Sequence, residues 1–320
     1  MSDLLTGLLA ALISTNPVAG VSNVIQNTTG IAPKIEIANP NDPVEKQYLQ
    51  LLADDNAAQE EVDKWIRDNE AFRAKGAGAP EGTLRLRIEQ RFEPVKKGYE
   101  DFLQAHPNHA KARLAYGSFL NDTHDEDAAV QQWEKARQLD PKDPAAWNNL
   151  ANIYAHHSPI KKGFEYYEKA IELNPNEPVY IENLAVCVYM FRTDAKEYYH
   201  LTEDEVFNKA LALYRQAMKL DPNNFLLASD YAQSFYGTKP PRYKEGLEAW
   251  KNVLPLARDE IEREGVFIHL ARIEGKLGYF ADAEKHLNVI TNDMYAGIKK
   301  TIARNLKEAQ EKMTNSTPIR

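Results

Sequence analysis

Three prolines, Pro107, Pro141 and Pro175, stand 34 residues apart in turn. The last two close the same phrase, Trp133-x-x-Ala136-x-x-Leu139-Asp140-Pro141 and Tyr167-x-x-Ala170-x-x-Leu173-Asn174-Pro175. A fixed period of this length builds a solenoid, in which each unit buries the face that its neighbour leaves open. Ala129, Trp133 and Ala136 follow steps of four and three, so a small residue, an aromatic and a small residue share one helical face before the proline stops the helix. The neighbouring helix repeats the spacing with Trp147, Leu150, Ala151 and Tyr154. Asp143 is placed as its N-cap and Pro144 at its first helical position,. Large residues alternating with Ala or Gly let two antiparallel helices approach closely.

The phrase resembles the tetratricopeptide repeat family, whose helix–turn–helix units stack around a concave groove. The resemblance implies an all-α fold, a right-handed superhelical solenoid of antiparallel helix pairs. A first, incomplete unit supplies Val95, Tyr99 and Pro107, and the second has Tyr116, Gly117, Leu120, Ala129, Trp133, Ala136 and Pro141 at the landmarks. The third has Trp147, Leu150, Ala151, Tyr154, Tyr167, Ala170 and Pro175, with Gly163 in place of the usual Ala. The fourth begins at Leu184 and Ala185 and ends with Ala210, Tyr214, Ala217, Leu220 and Pro222, so its interval is 47 residues, 13 more than the period. Tyr231, Ala232, Phe235, Gly246 and Trp250 mark the fifth, and Phe267, Leu270, Ala271, Gly278, Ala283 and Leu287 the sixth. The implied layout is an apolar N-terminal helix and linker over 1–40 and a helical cap over 41–75. A repeat array follows over 76–290, with an insertion near 190–203, and a C-terminal capping helix and tail occupy 291–320.

Composition narrows the partners. The net charge of −8 and a pI near 5.6 argue against nucleic acid, which needs clustered Lys and Arg. Cys187 is the single cysteine; it rules out an internal disulfide and suits a buried hydrophobe better than a nucleophile. No phosphate-cradling Gly-rich loop, His-Glu-x-x-His, Cys-x-x-Cys or Gly-x-Ser-x-Gly elbow occurs, so no catalytic residue, cofactor or metal is expected. His106-x-x-His109 and His156-His157 fall in turns and are expected to face solvent, since two imidazoles make an incomplete zinc site. The acids from Asp122 to Asp127 are expected to form a solvated face.

Leu4 to Ile13 is a run of apolar or small residues about half as long as a membrane-crossing helix needs,. No transmembrane span is therefore expected. Leu4, Leu5, Leu8, Leu9 and Leu12 form one helical stripe, which would bury against the repeats, against a second copy to give a homo-oligomer, or at a membrane surface. A cleaved signal peptide is the alternative, with Val18-Ala19-Gly20 as a loose cleavage site but Asp3 where positive charge belongs. The expected compartment is the cytoplasm. Asp42-Pro43-Val44-Glu45 starts a helix with an N-cap and a capping box. Tyr48, Leu51 and Leu52, then Val62, Trp65, Ile66 and Phe72, predict two helices broken at Asp54-Asp55-Asn56. Met294 to Met313 predicts a terminal helix with Ile298, Ile302 and Leu306 at four-residue steps.

In the insertion, Thr202-Glu203-Asp204-Glu205 is a capping box that starts the second helix of the fourth unit about two turns early. Its first helix has room to run on through Phe191 to Tyr198. Tyr189, Phe191, Tyr198 and Tyr199 suit either a partner-contacting hairpin or an extension of the local core. The resemblance further implies that the first helix of each pair lines the groove, at positions beside the packing landmarks. Those positions are Ser118; Asn148, Asn149 and Asn152; Glu182 and Asn183; Ser229, Asp230 and Gln233; His269 and Arg272. Asn149 and Asn183 are 34 residues apart. An amide carries both donor and acceptor and so can hold the backbone of an extended peptide, although a polar face also serves solubility alone. Relatives that clamp a C-terminal carboxylate use Lys and Arg where this chain has Val179 and Asn183. The sequence thus points to a non-catalytic scaffold or adaptor that binds a segment of another protein. The alternative is a structural subunit that assembles through the N-terminal helix or the solenoid ends.

Overall fold

The computed structural model describes residues 42–73, 75–156 and 160–315. The apolar run Leu4–Ile13 and the linker after it, with their docking, self-association and cleavage alternatives, lie outside the described residues, as does His157. Fourteen α-helices and three short 3-10 segments make up the described chain. They divide into two compact units, one ending at Asn174 and the other beginning at Pro175.

In the first unit, α1 (Pro43–Arg73) pairs with α2 (Glu81–Ala105), α3 (Ala110–Asp122) with α4 (Glu126–Leu139), and α5 (Pro144–His156) with α6 (Lys161–Leu173). Turns of a few residues between partners bring each pair together as an antiparallel hairpin. Asp42 starts α1, its Oδ1 accepting from the Val44 amide at 2.8 Å, but Glu45 faces His109 at 3.4 Å and closes no capping box. The break expected at Asp54-Asp55-Asn56 does not occur: α1 is one helix of 31 residues. Its acids are absorbed by side-chain bonds, Gln50 donating to Asp54 at 2.9 Å and Tyr99 to Asp55 at 2.6 Å.

The landmark residues meet as their spacing requires. Trp133 is 2 % exposed, and its indole donates to the Leu114 carbonyl at 3.1 Å. It fits because residue 117 is glycine: a Cβ there would stand 2.5 Å from the Trp133 ring. Gly163 departs from the family's Ala for a similar reason, since a Cβ would come within 3.1 Å of the Ala155 backbone nitrogen. Asp143 caps α5 as expected, accepting from the Ala145 amide at 2.9 Å. Trp147 shares its stripe with the buried Leu150 and Ala151, a position that predicts burial, but the structure differs. Trp147 is only half-buried, with its indole donating to Pro141 at 2.9 Å, its ring edge-on to Tyr166 and Arg137 over its face.

In the second unit, α7 (Pro178–Met190) pairs with α9 (Glu203–Leu220), α10 (Phe225–Ser234) with α11 (Tyr243–Val253), and α12 (Glu260–Leu277) with α13 (Phe280–Asn288). The insertion forms a separate short helix, α8 (Arg192–Tyr199), packed on α9. The expectation that α7 runs on through Tyr198 fails at Phe191, where ψ of 50° breaks the helix; His200, at φ 55°, ends α8 in the left-handed region. The capping box is present: Thr202 Oγ1 accepts from the Glu205 amide, and Glu205 accepts from the Thr202 amide at 2.8 Å. The last helix, α14 (Ala296–Asn315), follows a 3-10 turn over Asp293–Tyr295 and buries Ile302 and Leu306 against α12 and α13.

Truncating Trp133 to Ala should cost about 3–5 kcal/mol, the range for a large buried aromatic. Trp147→Ala should cost no more than about 1.5 kcal/mol, because it forfeits an aromatic contact but leaves no sealed cavity. Urea midpoints of the two variants compared with the parent check this; equal shifts would contradict the packing described.

Candidate functional site

Packing decides where the polar residues of each first helix go. On α5 the stripe of Trp147, Leu150, Ala151 and Tyr154 leaves Asn148, Asn149 and Asn152 on the remaining surface. That surface is not simply solvated: Asn148 is 0 % and Asn149 1 % exposed. Ala145 and Ala146, one turn earlier, are buried too, so α5 is enclosed on more than its landmark face. Asn148 Nδ2 donates to Asn149 Oδ1 at 3.5 Å. Asn149 Nδ2 is left buried with no acceptor. Asn152 is half-buried and accepts from the Tyr167 hydroxyl at 2.7 Å, while Ser118 bonds back to the Leu114 carbonyl of its own helix.

In the second unit, Glu182 and Asn183 on α7 are half-buried. On α10, Ser229, Asp230 and Gln233 are 0 %, 7 % and 6 % exposed. Ser229 and Ser234 spend their hydroxyl protons on the carbonyls one turn back, Phe225 at 2.7 Å and Asp230 at 2.8 Å. Gln233 Oε1 is buried without a donor. Burial pushes the Asp230 carboxyl up to about 7. Burial, and then the neighbouring charges of Asp230 and Asp221, push Glu182 up to about 8. Tyr214, fully buried on α9, lies close enough to both acids to feel their charge, with Ser234 as a further polar neighbour.

His269 on α12 is not at a groove surface. It is 1 % exposed, stacked on Trp250 with centroids 4.0 Å apart, and its Nδ1 meets the Tyr236 hydroxyl at 3.0 Å. Burial, with Arg272 adding to it, holds its pKa down to about 3, so the ring is neutral across the ordinary range. Arg272 is half-buried, 5.8 Å from the Tyr236 ring centre. Of the insertion aromatics, Tyr189 is 9 % exposed and edge-on to Phe207. Phe191, Tyr198 and Tyr199 are half-buried; Tyr198 and Tyr199 contact each other edge to face, and Lys209 stands 4.0 Å over Tyr199.

Two sequence expectations are corrected by burial. His109 is no solvent-facing turn residue: its Nδ1 caps α3 through the Ala112 amide at 3.0 Å, and its ring packs against Tyr48 and Phe102. Asp122 does not share the solvated face of Asp125 and Asp127. Its Oδ1 is buried without a partner, and burial, then Asp55, push its carboxyl up to about 8. Sequence reasoning missed this acid and Tyr214 as polar features, because each also fits a bland role, one in a charged turn and one at a packing landmark. Among the described residues no group of three or more His, Cys, Asp or Glu is arranged to hold a metal ion. No described helix is long and apolar enough to cross a membrane.

Two family models, both described as tetratricopeptide repeat, match residues 110–153 and 144–177. The chain carries tetratricopeptide repeats. Solved structures extend the fold beyond the matched residues. PilW, a widely conserved type IV pilus biogenesis factor, aligns with a TM-score of 0.53 at 13 % identity over 78 % of this chain and 98 % of its own. PilF of Pseudomonas aeruginosa aligns at 0.50 and 14 % identity, over 80 % and 99 %. YrrB, a TPR protein with an unusual peptide-binding site, is similar at 0.47 and 13 % over 68 % and 97 %, a likeness too slight to carry an argument. No curated protein sequence matches the chain. At these identities the structural likeness establishes helical repeats and nothing about partners.

The raised carboxyls of the second compact unit set the sign of a pH effect. An acid whose folded pKa lies above its unfolded one contributes full stability below the unfolded value and loses it as pH rises through the folded value. Stability should therefore fall from about pH 4, the ordinary carboxylate range, to the values of about 7 for Asp230 and about 8 for Glu182. Asp230→Asn should flatten this descent and melt higher than the parent at alkaline pH. Thermal melts across the range test it; a variant that melts lower at every pH would show that the carboxylate supports the fold.

Proposed function

We propose that this protein is a non-catalytic interaction scaffold that binds an extended segment of another protein along the first helices of its repeats. Tetratricopeptide proteins are in general protein-interaction modules, and the chain offers polar side chains where such a helix meets a ligand. The observation that carries this proposal is Asn149: a side chain 1 % exposed whose Nδ2 has no acceptor. A buried unpaired donor is costly to keep, and a peptide carbonyl would satisfy it without regard to side-chain sequence. Asn183, one period on, is the corresponding amide of the next unit. In the first unit Asn148 and Asn152, and in the second Glu182, Ser229, Asp230, Gln233, His269 and Arg272, belong to the surface proposed for each through their positions on first helices, the buried Asn148, Ser229 and His269 as support rather than contact.

A second reading rests on the insertion. Phe191, Tyr198 and Tyr199 keep part of their ring surface open, and half-exposed aromatics suit a partner's pocket; Tyr189 would anchor this surface from the core. Self-assembly through Leu4–Ile13 remains a proposal that the described residues do not touch. The cytoplasm is the compartment proposed for the scaffold, with a cleaved N-terminal signal as the alternative. N-terminal sequencing of protein from its source tests this, a start near Val21 excluding it.

Asn149→Ala removes an unpaired donor and should leave the melting temperature nearly unchanged. With a peptide selected on the immobilised protein, Asn149→Ala and Asn183→Ala should each weaken binding by about 0.5–1.5 kcal/mol, the net worth of a hydrogen bond. Calorimetry measures it. Unchanged affinity in the double variant, with loss in Tyr198→Ala, would move recognition to the insertion.

A further inference from the structure

We propose that His109 is a proton-operated latch: neutral, it fastens the N-terminal hairpin α1–α2 to α3, and in mild acid it lets that hairpin go. The inference is independent of what the scaffold binds.

Hydrogen-bond direction fixes the state of the latch. A backbone amide can only donate, so the Ala112 amide at 3.0 Å makes His109 Nδ1 an acceptor,. The neutral ring then carries its proton on Nε2, which stands 3.4 Å from Glu45 Oε1 on α1. The same ring lies 4.8 Å from the ring of Tyr48 on α1 and 5.1 Å from that of Phe102 on α2, centre to centre. One imidazole thus bridges two helices while it caps a third. Tyr48 adds a link that depends on the cap, because its hydroxyl donates at 3.3 Å to the Lys111 carbonyl in the first turn of α3.

Protonation places the second proton on Nδ1, where it meets the Ala112 N–H. Two donors then face each other across 3.0 Å, and the cap is lost. The added charge sits at the N-terminal end of α3, the end that disfavours cations, on a side chain only 12 % exposed. Glu45 from α1 favours the charged ring, but its side chain is 25 % exposed and solvent screens the pair. His106, from the turn after α2, opposes the charge. Lys111 and Arg113 are the cations of the same turn of α3, and Asp143, before α5, acts on Lys111 and Tyr48. Burial outweighs Glu45 and holds the His109 pKa below the ordinary histidine value. A base lowered in this way binds fewer protons folded than unfolded. Its contribution to stability is complete above the ordinary value of about 6.5 and is lost as pH falls below it. The raised carboxyls of Asp55 and Asp122 in the same unit work in the opposite direction and firm the fold in acid, so acid loosening of this hairpin singles out the imidazole.

The test is amide hydrogen exchange of the full chain, read by mass spectrometry and corrected for the intrinsic effect of pH, at about pH 7.5 and about pH 5, either side of the ordinary histidine value. Protection of α1 and of the first turn of α3 should fall about five-fold or more in acid, one unit of lowering being worth about ten-fold, while α10 and α12 lose none. His109→Asn, a capping residue that does not titrate, should keep the protection seen at neutral pH and abolish the acid step; His106→Asn should leave the step in place. An acid step that survives His109→Asn, or one shared equally by α10 and α12, would overturn the proposal. If His109→Asn does not fold, nitrogen-detected resonance of the parent's imidazoles decides. His109 should show a proton on Nε2 and none on Nδ1 at neutral pH and should titrate in step with the loss of protection; a proton on Nδ1 at neutral pH would overturn the latch.

Discussion

Close approach of two helices at a residue without bulk is the contact on which this fold depends. Trp133 enters the space left by the missing side chain at Gly117, and the same geometry brings α6 against the Ala155 backbone at Gly163. Such contacts reward shape, because a sealed aromatic leaves a cavity when it is removed and a clash when its host grows. They also explain the period. Each hairpin of about 34 residues can close on itself through its aromatic and small residues but still exposes an apolar face, which the next hairpin covers.

The repeat phrase made the pairing of helices readable from residues alone, since a landmark is defined by its neighbours one turn away. Asp143, Thr202 and Glu205 cap their helices as the local pattern requires, and Ile302 and Leu306 bury the seam predicted for the last helix. What the pattern did not contain was the depth of each site. Trp147 and Trp133 occupy equally strong motif positions, yet only Trp133 is sealed. Asn149 and Asp230 lie off the packing stripe and are buried all the same. Beside Asn149 the sign of that enclosure is the small buried pair Ala145 and Ala146, which a search for a large apolar stripe passes over. The uninterrupted α1 shows the converse: Asp54 and Asp55 looked like a break, and long-range partners such as Tyr99 made them compatible with a helix.

The buried polar groups fall into two kinds. His109, Glu264 and Tyr295 are satisfied by the fold: His109 caps a helix, Glu264 accepts from the Thr291 and Asn292 amides, and Tyr295 donates to Ile261 at 2.6 Å. Asn149, Asp230 and Gln233 carry unspent capacity instead, and all three lie on first helices. A fold selected for stability alone would have replaced them with apolar residues of similar size. Unpaired atoms occur on second helices as well, at Tyr214 on α9 and Trp250 on α11.

The central claim is that recognition belongs to the first helix of each pair, and mapping a bound peptide tests it most directly. A peptide selected on the intact protein, carrying a photoreactive residue, can be cross-linked and its attachment sites located by mass spectrometry. The account predicts attachment to α5, α7 and α10, close to Asn152, Asn183 and Asp230. Attachment confined to the second helices α6, α9 and α11 would contradict it.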